Sequence, residues 1–459
     1  MGSVGLSMPE RSPSQQKALH REVWALAWPA ITHMLLVTLV FLIDRLVLGH
    51  HDNSELASIQ ISGVLVWTLY AIFTAGSAGT VAIVARTLGA GDAAAAGRAS
   101  VVSLGFAALS GIAVTAIVLA SMGPLLPLVF PGASANVLDK AQQYLMIVLP
   151  FLPAAFLEAS AAASLQAAGD TRTPFLAGLV ANAVNLVLSA GLVFGVGGLP
   201  ALGIRGAAIG AASAMLIQGA MLVYALARRC DVLPFAGVVA DLRVRETLRR
   251  LLRVSAPSYL EKLVYNGGYV LFVVVIARLG DAAMAANQAM VSIEAVCFLS
   301  ADGFGIAAGA LVARKLGAGE KDDARAVAAI ATRMAIGLLG ACAVVFACAP
   351  RLLLRAFTDD EAIVDMGARA LPVMAIAQPF MAYATVIRMS LRGAGATSTV
   401  LWVTLVGTFC IRLPLAYLLV SRLGWGLTGI WLASTADWAA QSAIVFRVFQ
   451  RGRWRDRQV

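Results

Sequence analysis

Apolar stretches of about twenty residues or more recur from Trp24 to Phe446, and each is long enough to cross a hydrocarbon core of about 30 Å as a helix rising ~1.5 Å per residue. The runs are continuously apolar rather than alternating, so helices are expected and barrel strands are not. Of the 459 residues, 60% are apolar and 13% charged, against roughly 25% charged in a soluble domain. No soluble domain is left over. The net charge of +10 does not point to nucleic acid, because the basic residues sit in short segments between apolar runs instead of forming one face of a folded domain. The expected class is therefore an all-α integral membrane protein.

Spans are expected at residues 24–48, 58–85, 99–121, 141–165, 175–196, 203–227, 255–277, 284–313, 327–349, 366–390, 400–420 and 427–447. This gives about twelve helices. The domain plan that follows is a tail over 1–23, a six-helix lobe over 24–227, a basic linker over 228–254, a second six-helix lobe over 255–448 and a basic tail over 449–459. Arg228, Arg229, Arg243, Arg245, Arg249, Arg250 and Arg253 lie in the linker, and Arg451, Arg453, Arg455 and Arg457 follow the last span. By the positive-inside bias these segments and both termini are expected in the cytoplasm. The opposite loops, such as His50 to Glu55 and Asp359 to Glu361, are acidic or poor in basic residues and are expected outside. Residues 241–253 read either as an amphipathic helix lying on anionic lipid or as a tether that fixes topology. Residues 1–22 lack the pattern of a cleaved signal, so the first span is expected in the mature protein. Arginine far outnumbers lysine and alanine is abundant, a composition that suggests a GC-rich bacterial genome and hence the cytoplasmic (inner) membrane. The five cysteines are odd in number and lie mostly in apolar runs, so no disulfide framework is expected.

A shift of 228 positions aligns Pro29 with Pro257, Ala57 with Ala285, Gln60 with Gln288, and the segment Val84 to Gly91 with Val312 to Gly319. A shift of 226 then pairs Pro153 with Pro379 and Ala168-Gly169-Asp170-Thr171 with Ala394-Gly395-Ala396-Thr397. The halves are internal repeats. Each half holds an even number of spans, so both enter the membrane from the same side, and their symmetry axis runs along the membrane normal. Folds of that kind bind substrate between halves that rock against each other. The repeated Leu-Gly-Ala-Gly lacks the Lys-Ser/Thr and the preceding strand of a phosphate loop and reads as a helix stop. In Gly169 to Pro174, any of Asp170, Thr171 and Thr173 could cap the next helix, with Pro174 in its first turn.

At these residues the chain resembles the multidrug and toxic compound extrusion (MATE) family over nearly its whole length. The likeness rests on Pro29 with Asp44, Leu-Gly-Ala-Gly after spans two and eight, Gly-Asp-Thr-Arg-Thr-Pro before span five, Asn185, the segment Gly203 to Ala208, and Arg412-Leu413-Pro414. It implies export of amphipathic organic cations, drugs and toxins among them, by alternating access between two lobes. Exchange is with protons or sodium, and no cofactor is needed beyond that coupling ion. Small-molecule cations and the lipid bilayer are then the partners, nucleic acid is not, and a monomer is expected. A flippase for lipid-linked precursors and a sodium-coupled exporter are the alternatives. An enzyme is not expected, since the four histidines at 20, 33, 50 and 51 form no metal-ligand or nucleophile pattern.

An ionisable group deep in the bilayer costs at least ~2.5 to 3.5 kcal/mol on insertion scales, so each must face a cavity or a partner. Asp44, Glu158, Glu261, Glu294 and Asp437 are the carboxylates so placed. The resemblance matches Asp44 to the family's N-lobe aspartate and Asn185 to its asparagine. It sets Ser189 where many members carry a second acid and Ala211 at a usual threonine. Asn182 lies one turn from Asn185, spaced to share its face, which serves helix packing as readily as ion binding. Tyr265 stands where NorM-like members carry a glutamate, which tilts the likeness toward the DinF-like branch. Glu261, Glu294 and Arg412 form either a second cation or substrate site or a structural network in which Lys262 and Arg412 neutralise the acids. Glu158 and Asp437 match no family position, and His33 could relay protons or merely pack.

Overall fold

The computed structural model describes residues 12–49, 53–130, 134–229 and 243–457, with the side chains of 37–49, 53–57, 60, 197 and 281 left out. Among the described residues there is helix and turn but no strand, as continuous apolar runs require. Helix α1 covers Pro13–Gly49, α2 Asn53–Gly89 and α3 Ala93–Val129. Next, α4 (Ala135–Val148) runs through one 3-10 turn into α5 (Leu152–Ala167). Helices α6 (Arg172–Phe194) and α7 (Ile204–Ala227) complete the first half.

The second half comprises α8 (Val244–Ala277), α9 (Asp281–Gly317), α10 (Lys321–Cys348), the short α11 (Pro350–Arg355) and α12 (Glu361–Gly393). It continues with α13 (Thr397–Leu405), α14 (Leu413–Tyr417) and α15 (Gly426–Arg451). π-helical turns at Val406–Arg412 and Leu418–Arg422 flank α14 and make one continuous span of Thr397–Arg422. Among the described residues ten helices are long and apolar enough to cross a membrane. Two more have the length: α1, of 37 residues, whose side chains over 37–49 are outside the described residues, and α15, of 26 residues, which carries more polar groups. The first helix begins at Pro13, well before Trp24. The basic stretch from Val244 to Arg253 is the opening of α8, continuous with the seventh span rather than a separate surface helix. Residues 50–52 and 230–242, which carry the two histidines and most of the linker, lie outside the described residues. Cys297, Cys342, Cys348 and Cys410 are free thiols.

The chain divides into two compact units, one of Thr32–Leu252 and one that joins the start of α1, up to Ile31, to the residues from Arg253 on. In the N-terminal unit α5 is the buried centre, packed on α2, α3 and α7, and α6 packs along α7. Stacked Phe73 and Phe156, 3.9 Å apart, anchor α2 to α5. In the C-terminal unit α12 takes the same role against α9, α10 and α15. The two central helices are rich in small residues, alanine and serine in α5 and alanine in α12, which lets backbones approach where lipid offers no hydrophobic drive between helices.

The repeat is visible in backbone geometry. Gly91 and Gly319, the second glycines of the two Leu-Gly-Ala-Gly motifs, have φ of 79° and 80°, and Gly169 and Gly395 have 87° and 78°. Residues with a Cβ rarely adopt such angles, so the same four-residue signal ends the matching helices of both halves. Of the three possible caps before α6, Asp170 does the work: its Oδ1 accepts from the amides of Arg172 (3.1 Å) and Thr173 (2.9 Å), and its Oδ2 from the Thr173 hydroxyl (2.6 Å) and from Arg229 (2.5 Å). Asp170→Ala removes the cap and the tie to the end of α7. It is expected to cost about 1 to 2 kcal/mol, read as a lower thermal unfolding midpoint of the purified protein in detergent.

Candidate functional site

The charged side chains buried within the C-terminal unit join into one network. Glu261 on α8 is 5% exposed and receives both oxygens' bonds from Arg392 Nη2 at 2.7 Å, with Thr404 Oγ1 donating to Oε1 at 2.9 Å. Arg388, one turn before Arg392 on α12, donates to Gln441 Oε1 at 2.9 Å, and Gln441 in turn donates to Asp437 Oδ1 at 2.8 Å. Arg412 closes the chain with an ion pair to Asp437 at 2.8 Å. Its guanidinium lies over Phe272 and Trp438, and Arg388 lies over Trp438 as well. The π-helical turn before Arg412 brings Gly407 so close to Asp437 and Gln441 that a side chain there would collide with both.

The acids flagged in sequence therefore find different partners. Glu261 is hydrogen-bonded and paired by Arg392, with Lys262 interacting with it electrostatically, and Arg412 pairs with Asp437. Glu294 on α9 is half-buried, accepts a long contact from Gln378 at 3.5 Å and feels the charge of Arg412. Sequence reasoning missed Arg388, Arg392, Thr404 and Gln441. Arg388 carried a signal, since an arginine inside an apolar run needs an acid nearby.

In the N-terminal unit the polar groups gather in two places. Ser189 donates to Asn185 Oδ1 at 3.0 Å, and both side chains are fully buried against Gly210 of α7, where a Cβ would overlap the serine hydroxyl. Asn182 turns to the neighbouring turn and donates to the Gly178 carbonyl at 2.7 Å, leaving its buried Oδ1 without a partner. Ala211 is buried beside Gly210 and offers no oxygen. The structure thus brings Asn185 and Ser189 together and leaves Asn182 on its own contact. Asp44 lies in α1, but its side chain is outside the described residues.

The second cluster centres on Glu158 of α5, which is 5% exposed. Tyr70 of α2 donates to its Oε2 at 2.8 Å and Gln218 of α7 to its Oε1 at 3.2 Å. Neither donor carries charge. Neither was singled out in the sequence, where they stand 88 and 60 positions away. No group of three or more histidine, cysteine, aspartate or glutamate side chains is arranged to hold a metal ion among the described residues.

The MatE family model matches the chain twice, over residues 29–190 and 257–418, in register with the internal repeat. The chain is 26% identical over 444 residues to the probable multidrug resistance protein NorM of Thermotoga maritima, covering 96% of this chain and 94% of that protein. It is 25% identical to the multidrug resistance protein MdtK of Edwardsiella ictaluri, covering 95% and 96%. Among solved structures, a MOP superfamily transporter from Pyrococcus furiosus shares the fold with a TM-score of 0.89 at 19% identity, over 98% of this chain and 100% of that one. The Vibrio cholerae transporter VcmN in its bent form does so at 0.86 and 19%, over 96% and 98%.

Proposed function

Since the chain belongs to the MatE family of multi-pass transporters, we propose that it is a secondary active antiporter that exports amphipathic organic cations in exchange for protons. Its two repeated lobes provide alternating access, and Asp44, assisted by Asn182, Asn185 and Ser189, carries the proton. The observation that carries this reading is the asymmetry between the units. Glu261 and Asp437 are each already neutralised by an arginine, whereas Glu158 of the N-terminal unit meets a phenol and an amide and Asn185 meets the Ser189 hydroxyl. A cation can be taken up by the second kind of site without first displacing a guanidinium. Sodium prefers several hard oxygen ligands, and Ala211 removes one from the family's set, while a proton needs one base. This favours protons and the DinF-like branch. The names of the relatives support multidrug efflux, and the arginines after α7 and α15 support cytoplasmic termini in a bacterial inner membrane. We take the acting form to be the monomer.

Expression in a host lacking its own pumps is expected to lower accumulation of several monovalent lipophilic cations, ethidium among them. If export of all such dyes is unchanged while the protein is present in the membrane, the drug-exporter reading fails and a flippase for a lipid-linked precursor takes its place.

A further inference from the structure

Glu158 sits in the buried centre of the N-terminal unit, about 14 Å along the axis from the Ala167 end of α5 at ~1.5 Å per residue, inside the membrane span Ala135–Ala167. We propose that Glu158 is a proton-binding carboxyl of this transporter, used in addition to Asp44 and held by Tyr70 and Gln218. For its role in transport this rests on the proton-coupled reading above.

An ionised carboxylate at that depth needs a counter-charge, and none is supplied. Each element packed on α5 contributes only neutral groups at this point. From α2 comes Tyr70, and from α7 Gln218. On the α3 side of α5 the polar groups are hydroxyls too, a chain of Thr80, Ser103 and Ser160 with contacts of 2.6 and 2.7 Å. Among the described residues no lysine or arginine pairs with Glu158 and no other charged group acts on it. The arrangement also suits both protonation states. As a carboxylate, Glu158 accepts one bond on each oxygen. Once protonated, it can donate to a turned Gln218 amide oxygen while still accepting from Tyr70, so the carboxyl keeps a bond on each oxygen in both states.

A second, independent observation lies next to it. His33 is 6% exposed and its Nδ1 has no hydrogen-bond partner. That atom is aimed at Gly178, 2.9 Å from where a Cβ would stand, and Gln218 Nε2 is 3.8 Å from the same point. The glycine therefore leaves room for the imidazole beside the amide that ends on Glu158. One turn further along α6, the unpartnered Oδ1 of Asn182 extends the line of polar groups. Both atoms lie on the Gly178 side of α6, where they leave polar capacity near Gln218, the amide that holds Glu158. The proton arrives from one aqueous side, adds to a Glu158 oxygen, and leaves to the other side when the conformation changes. No other bond is made or broken.

The test uses the purified full chain and three variants. In the pH-difference infrared spectrum, wild type is expected to show a protonated-carboxyl band that Glu158→Gln lacks. In weakly buffered detergent solution, ethidium binding is expected to release about one proton fewer per protein in Glu158→Gln than in wild type, with ethidium still bound. Tyr70→Phe keeps the acid but removes a donor from its ionised form, so the midpoint of the band is expected to move to higher pH. Glu158→Asp is expected to restore the band. A merely structural glutamate would give no such band and no change in proton count. The proposal is overturned if Glu158→Gln keeps the wild-type band and proton release, or if Tyr70→Phe leaves the midpoint unmoved. Failure of wild-type proteoliposomes to respond to a pH gradient would instead overturn the proton-coupled reading, while the band would still decide whether Glu158 titrates.

Discussion

Asp44→Asn is expected to abolish efflux driven by a pH gradient in proteoliposomes while the protein still folds and inserts. Each pH unit supplies ~1.4 kcal/mol per coupled proton, so a one-proton exchanger can build about a tenfold substrate ratio from a gradient of one unit. The variant is expected to build none. The membrane potential adds ~2.3 kcal/mol per 100 mV for each net charge moved, so the assay needs the potential clamped. The physical basis is that protonation and substrate binding must favour opposite conformations, and a ligand shifts an equilibrium only by its differential affinity for the two states. Asparagine keeps the shape and loses the proton. Retention of pH-driven transport in Asp44→Asn, or wild-type transport under a sodium gradient at constant pH, would contradict the mechanism. Glu158 and the half-buried Glu294 would then be the acids to pursue, ahead of the arginine-bound Glu261.

The second large effect belongs to the Arg412–Asp437 pair, whose side chains are 7% and 0% exposed. Breaking a buried pair by removing one partner leaves an uncompensated charge and costs ~3 to 5 kcal/mol, whereas replacing both by apolar groups of similar volume can be neutral. Arg412→Met alone and Asp437→Leu alone are each expected to lower the thermal unfolding midpoint sharply. The double variant is expected to recover most of the loss. If the two losses simply add, the pair is not a coupled unit. A double variant that also transports dye would assign Arg412 to structure rather than to substrate recognition.

How far the site was legible in sequence follows the range of the interactions. The helix stops at Gly91 and Gly319 and the cap at Asp170 depend on residues within one turn, so their role could be read from a few letters, although which of three candidates capped α6 took the backbone to decide. The spans could be read because the bilayer imposes length and apolarity on every crossing segment independently of its neighbours. Where the first helix starts could not, because the residues before Trp24 are polar and helical together, with Leu19 and Val23 buried against the C-terminal half.

The acids divide along the same line. Sequence alone identified Glu158, Glu261, Glu294 and Asp437 as costly, since the penalty for a charge in lipid depends only on its place in an apolar run. What each does depends on who reaches it, and the reaching residues stand 131 positions away for Arg392 and Glu261, 88 for Tyr70 and Glu158, and 60 for Gln218 and Glu158. The membrane class, the repeat, the helix ends and the set of suspect charges were thus determined by local composition and spacing. Which carboxylates are locked to arginine and which meet only neutral donors was decided by the approach of α12 to α8, of the Val406–Arg412 turn to α15 and of α5 to α2 and α7, because a buried charge is satisfied by contact in space and not by position along the chain.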